Sequence, residues 1–134
     1  MQGFHLQLVT PDGLVFDGIA EAILVRTTGG DVEIMRGHED YFATLGTGRA
    51  KLTVDGKAKD ASASGGFISV KAGEVKLVCT TFEFAENIDL TRAKAAKEKS
   101  ERALAAAKDA ESIRAARAKL ARAVSRINVA ELLK

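Results

Sequence analysis

The sequence predicts an α+β protein, with an antiparallel β-sandwich or barrel first and a helical hairpin after it. Three observations carry that reading. All twelve glycines and the single proline lie at or before Gly73, so strong backbone punctuation is confined to the first part. Within that part, short apolar and β-branched runs recur between turn signals at roughly 8–12-residue spacing, as in antiparallel sandwiches. The last third is rich in alanine and lysine or arginine, with apolar positions three and four residues apart, the period of a helix.

In chain order, Phe4, Leu6 and Leu8 alternate with His5 and Gln7, and Thr10-Pro11-Asp12-Gly13 follows as a turn, its proline preset for the bend. Leu14–Phe16 and Ala22–Val25 are further strands, and Gly29-Gly30 interrupts the chain before Val32-Glu33-Ile34. Arg49–Val54 runs into Asp55-Gly56 and leaves through Lys57-Ala58-Lys59, a hairpin signature. Ser64-Gly65-Gly66 precedes the strand Phe67–Val70, and Lys71–Glu74 turns into Val75–Cys79. About 85 residues of this kind enclose a modest core.

Asp89 is a candidate N-cap for a helix from Leu90 to about Lys108, and Asp109 or Ser112 for a second helix reaching the end of the chain. In the second helix Ile113, Ala116, Leu120, Ala123, Ile127 and Ala130 form a seam for one partner helix. The first helix answers with Ala93, Ala96, Ala103 and Ala107. Alanine favours helix strongly but buries little area, so the hairpin should be helical in itself and easily detached from what it packs on. The domain boundaries read from these changes are 1–87 and 88–134.

The net charge of +2 hides an asymmetry: residues 1–87 carry 8 basic and 12 acidic side chains, and residues 88–134 carry 12 basic and 6 acidic ones. The hairpin is therefore expected to meet an anionic partner. Apolar runs fall short of the roughly 20 residues of a membrane span, and Met1–His5 has no signal-peptide pattern. A single Cys79 makes no internal disulfide and agrees with a reducing compartment.

Catalytic patterns are missing. Gly46-Thr47-Gly48-Arg49-Ala50-Lys51 lacks Walker spacing. His5 and His38 stand far from Cys79 in sequence, with no zinc spacing. Cys79 ends an apolar strand and reads as a small core residue, and no serine has nucleophile-elbow context. The chain is expected to act through partners rather than as an enzyme. What remains is a charged cluster at the boundary: Glu83 and Asp89 near the start of the first helix, Arg92 and Lys99 on one of its faces, and Arg122 and Arg126 on a face of the second. An antiparallel hairpin could bring these cations together. They form either a solvated basic surface or a phosphate site, since guanidinium groups bind phosphate bidentately and carboxylates can hold ribose hydroxyls or an adenine amino group.

Over its whole length the sequence resembles the epsilon subunits of F-type ATP synthases, called delta in mitochondria. The resemblance rests on Thr10-Pro11-Asp12-Gly13, Gly37-His38, Ser64-Gly65-Gly66-Phe67, Ile88-Asp89-Leu90-Thr91-Arg92-Ala93-Lys94-Ala95, and Arg126-Ile127-Asn128-Val129-Ala130-Glu131-Leu132. It implies a sandwich of about ten strands that binds the gamma subunit and sits on the ring of c subunits through a loop holding Asp31 and His38. It also implies a hairpin that either folds down on the sandwich or extends along gamma, where it meets acidic segments of the beta subunits beside alpha and blocks ATP hydrolysis. Some bacterial members bind ATP in the folded-down state through a motif I-D-x-x-R-A, matched here by Ile88, Asp89, Arg92 and Ala93. The other ligand positions implied are Glu83, Lys99, Arg122 and Arg126.

Two departures stand out. Lys99 replaces an arginine of the members that bind ATP well; it keeps the charge and loses the planar fork, which bears on affinity rather than on the existence of the site. The ring-facing loop usually has a proline before Gly-His and another soon after, where this sequence has Arg36 and Glu39-Asp40-Tyr41. No cofactor is required on this reading; ATP, with or without magnesium, is a regulatory ligand. The implied location is peripheral, at the cytoplasmic face of the cell membrane, without direct insertion and without nucleic acid. Two alternatives are a free-standing ATP-sensing switch and a basic-hairpin nucleic-acid adaptor. The hairpin's interleaved acids and lack of aromatic residues weigh against the adaptor.

Overall fold

A computed structural model describes residues 3–133. Ten strands precede two helices: β1 (Phe4–Thr10), β2 (Gly13–Ala20), β3 (Ala22–Thr27), β4 (Gly30–Met35), β5 (Tyr41–Thr44), β6 (Thr47–Val54), β7 (Lys57–Ser64), β8 (Phe67–Lys71), β9 (Glu74–Val78), β10 (Thr81–Phe84), α1 (Leu90–Ala106) and α2 (Ala110–Glu131). A short 3-10 turn, Ala85–Asn87, links β10 to the hairpin. The strands form two five-stranded sheets, ordered β2-β1-β9-β8-β5 and β10-β7-β6-β3-β4. All pairings among named strands are antiparallel except β1 with β9, which is parallel and aligns His5 with Glu74 through Val9 with Val78.

Alternation along the strands sets the core. Phe4, Leu6 and Leu8 of β1 point inward, as do Ile23 and Val25 of β3, Leu52 of β6, Ile68 of β8 and Leu77 of β9. Full burial of a side chain of this size contributes about 1.5–3 kcal/mol, so this interior is where most apolar stabilisation resides. Cys79 follows β9 as part of the core and is wholly buried; burial pushes its thiol up to about 12, so it is a protonated, inert packing group.

Three expectations change. Strands β5 and β10 have no clear alternating pattern in sequence and form because β5 pairs with β8 and β10 with β7. Asp31 does not lie in a loop with His38: it belongs to β4, opposite Arg26 of β3, whose Nε donates to it at 2.5 Å. The guanidinium holds the Asp31 carboxyl below its ordinary range. Only residues 36–40 are left as connection, closed by a bond from the His38 N–H to the Met35 carbonyl at 3.2 Å. In the hairpin, Ala103 is exposed, and Ser100 and Leu104 take the inner positions with Ala93, Ala96 and Ala107.

Both helices start at aspartate caps. Asp89 accepts from the Arg92 N–H at 3.0 Å and Asp109 from the Ser112 N–H at 3.4 Å, satisfying donors that the first turn leaves open. Besides its seam with α1, α2 has a second buried face, because it packs on β6 and β7. Ser125 and Val129 belong to the buried set of α2 together with Ala116, Ala123 and Ala130.

Two predictions follow from the sandwich. Gly66 has φ +91° and a side chain there would place Cβ 1.8 Å from the Val78 carbonyl oxygen, so Gly66→Ala should destabilise by about 3 kcal/mol or more in chemical denaturation. On the outer face of the first sheet, His5 Nδ1 lies 2.6 Å from Glu74 and Nε2 2.6 Å from Asp17. Hydrogen bonds to Glu74, then to Asp17, raise its pKa above 6.5. A raised folded pKa gives stability that is present below 6.5 and lost as pH rises through the folded value. The thermal midpoint should therefore fall between pH 6 and 8 more steeply in the wild type than in His5→Gln; equal slopes would contradict the assignment.

Candidate functional site

The charged cluster at the boundary folds into a cavity where sandwich and hairpin meet. Its volume is about 430 Å³, and Glu83, Asn87, Ile88, Asp89, Arg92, Ala93, Ala96 and Arg126 line it. Each part of the joint contributes. Glu83 comes from β10, the last strand of its sheet. Asn87 ends the 3-10 turn, and Ile88 follows in extended conformation. Asp89 caps α1, whose first turns supply Arg92, Ala93 and Ala96; Arg126 crosses from the C-terminal half of α2.

Two side-chain contacts span the two parts. Arg126 Nε donates to Glu83 Oε1 at 2.7 Å, with both side chains about one-third exposed (33% and 39%). The next residue back on the helix, Ser125, has its hydroxyl 2.7 Å from that of Ser62, in a buried contact. Ser62 and Glu83 are themselves register partners between β7 and β10. Two consecutive helix residues thus grip a cross-strand pair, which fixes where the Arg126 guanidinium stands.

The chemistry on offer is that of an anion site with polar discrimination. Two guanidinium groups face a space floored by alanine, beside the N-terminus of a helix, and each can present a bidentate fork to phosphate oxygens. Two carboxylates and an amide supply acceptors and donors for hydroxyl or amino groups. The volume lies within the range of small-molecule sites, about 300–1,000 Å³.

Six of the eight predicted ligand positions, Glu83, Ile88, Asp89, Arg92, Ala93 and Arg126, line this cavity, whereas Lys99 and Arg122 do not. Lys99 stands exposed two turns beyond Arg92 and Arg122 is half-buried one turn before Arg126; past Ala96 the helices close on each other, burying Ser100. Asn87 and Ala96 also line the cavity. Asn87 directly precedes the Ile88-Asp89 pair, and Ala96 lies one turn beyond Arg92, so contiguity and helical spacing were the signals for them.

The turn holding His38 lies apart from this cavity. His38 Nδ1 is 2.7 Å from the Glu39 carbonyl, and its ring meets Tyr41 edge-on at 5.6 Å. Nearby Met35 is 54% exposed. The outer face of the first sheet carries further exposed apolar side chains, Leu14, Ile19 and Phe42, the last stacked on Phe67 at 5.4 Å. Among the described residues, no helix is long and apolar enough to cross a membrane.

Residues 3–85 match the family model of the ATP synthase delta/epsilon chain β-sandwich domain, and residues 86–131 match that of its long α-helix domain. The ATP synthase epsilon chain of Bacillus velezensis is 40% identical over 130 residues, covering 97% of this chain and 98% of its own. That of Caldanaerobacter subterraneus is 36% identical, covering 95% and 93%. A chain in the structure of the Euglena gracilis mitochondrial ATP synthase aligns over 98% of this chain and 82% of its own, with TM-score 0.83 and 22% identity, a likeness of fold. The fold and these full-length matches agree: the chain belongs to the ATP synthase delta/epsilon chain family.

Proposed function

We propose that this epsilon chain is a non-catalytic subunit of the ATP synthase central stalk whose hairpin is a brake on ATP hydrolysis, held down by bound ATP. The carrying observation is the joint cavity, to which the sandwich gives Glu83 and the hairpin gives Arg92 and Arg126. A ligand that bridges both parts binds only the folded-down arrangement and stabilises it by its own binding free energy, about 2.7 kcal/mol at a hundred times Kd. Arg92 and Arg126 would grip the phosphates, while Glu83, Asp89 and Asn87 select among hydroxyl and amino groups.

The docking face of α2 suits reversible release. Its grip includes two polar contacts, Ser125 with Ser62 and Arg126 with Glu83, which water can replace on opening. Once extended, the basic hairpin would face acidic segments of beta, with alpha alongside. On the other side of the molecule, the apolar outer face around Leu14, Ile19 and Phe42 would receive gamma, and the turn at His38 with Met35 would rest on the c-ring. Asp31, committed to Arg26 in β4, would shape this end of the sandwich more than reach for the ring. The chain would sit peripherally at the cytoplasmic face of the membrane. Purification of the native complex tests the assembly: absence of this chain from fractions holding gamma and the catalytic subunits would sink it.

Calorimetry of the full chain with ATP and magnesium should give heat at millimolar ligand or below. Arg92→Ala and Arg126→Ala should each weaken binding by about 2–3 kcal/mol; a silent wild type would mean that the cavity takes no nucleotide. For the rotor face, Phe42→Asp should weaken co-purification with gamma while moving stability by only about 0.5 kcal/mol. Unchanged recovery of gamma would place the contact elsewhere.

A further inference from the structure

We infer, on the proposal that the joint cavity holds ATP, that Asn87 is the residue that reads the base and selects adenine over purines with a 6-oxo group. The cations of the lining, Arg92 on α1 and Arg126 on α2, take the phosphates. The base is left with the lining that precedes α1, Asn87 and Ile88. Half-buried Ile88 offers an apolar surface to a ring.

Hydrogen-bonding capacity singles out Asn87. Among the polar side chains of the lining, Glu83 and Asp89 as carboxylates only accept, and Arg92 and Arg126 only donate. Both carboxylates are also partly committed, Glu83 Oε1 to Arg126 and Asp89 Oδ1 to the Arg92 N–H. The Asn87 carboxamide donates and accepts at once. It is exposed, and it has no hydrogen-bond partner among the described residues. Adenine presents its N6 amino group as donor beside N7 as acceptor, and an asparagine amide matches that pair with two bonds. Guanine and hypoxanthine present an oxygen in place of the amino group. One of the two bonds is then lost, and the amide oxygen faces another acceptor.

The backbone under Asn87 is held in place. Ala85 at the start of the 3-10 turn is buried, and the Ile88 N–H closes the turn on the Ala85 carbonyl at 3.2 Å. Glu86 accepts from Lys59 Nζ of β7 at 3.1 Å. The turn packs on both β7 and α2, so the amide stands at one place relative to the sandwich and to the docked hairpin. Adenine held there against Arg126 is read only in the folded-down arrangement, which ties base selection to the position of the brake.

Calorimetric titration of the full chain should compare ATP with inosine triphosphate, whose base has the 6-oxo group. The wild type should bind ATP at least about fivefold more tightly. In Asn87→Ala, and in Asn87→Leu of similar volume, the ratio should fall to within about twofold through loss of ATP affinity. The thermal midpoint of the ligand-free protein should not move, because the replaced side chain is exposed and makes no bond. A merely structural role would weaken both nucleotides alike and keep the ratio. Equal wild-type affinities for the two nucleotides would overturn the inference while leaving the nucleotide site in place, and so would a wild-type ratio kept in either variant. A wild type that binds neither nucleotide would sink the ATP reading itself, and the inference with it.

Discussion

The hairpin is attached to the sandwich by a small grip: Arg126 on Glu83 and Ser125 on Ser62. Because Ser62 and Glu83 are opposite one another in the β7–β10 ladder, and Ser125 and Arg126 are adjacent on α2, helix and sheet meet in one register. The tertiary packing of hairpin on sandwich is made by α2, on β6 and β7, and α1 packs on α2. The position of α1, and with it Arg92 and the cavity wall, depends on this contact.

The two interfaces of the molecule differ in kind. Between the sheets lie leucine, isoleucine, valine and phenylalanine, whose burial is large and whose separation would unfold the domain. Between sheet and helix stand two polar contacts, Ser125 with Ser62 and Arg126 with Glu83, that water can replace. One sequence thus builds an apolar core between the sheets and a more polar joint between sheet and helix. The two hydroxyls make the joint specific in register without adding much apolar attachment.

The residues made much of this legible. The Asp89 and Asp109 caps and the inward alternation of Phe4, Leu6 and Leu8 follow from local chemistry, and the structure has them. Strands β5 and β10 were not readable locally because long-range pairing creates them. The same limit explains Asp31, whose place in β4 is set by pairing with β3 across the ladder, and Ser125, whose burial depends on Ser62 facing it. In the candidate site, local spacing singled out Asp89, Arg92 and Arg126, which line the cavity, while Ala93 entered through the family motif and Lys99 and Arg122 fall outside the lining. Helical periodicity gives the face of a residue but not how closely the second helix approaches it.

The parallel pairing of β1 with β9 joins residues 69 positions apart, as His5 and Glu74 illustrate. Local turns can assemble β6 with β7 or β8 with β9 early, but the first strand has its central neighbour only when nearly all of the sandwich exists. Such non-local closure is slow relative to helix formation. During synthesis, β1 and β2 would emerge as a hairpin with one apolar face exposed and wait through some sixty residues for β9. The hairpin helices, by contrast, need only local contacts and are made last. The order of synthesis therefore completes the attachment body before the element that docks on it, so α2 meets a finished surface.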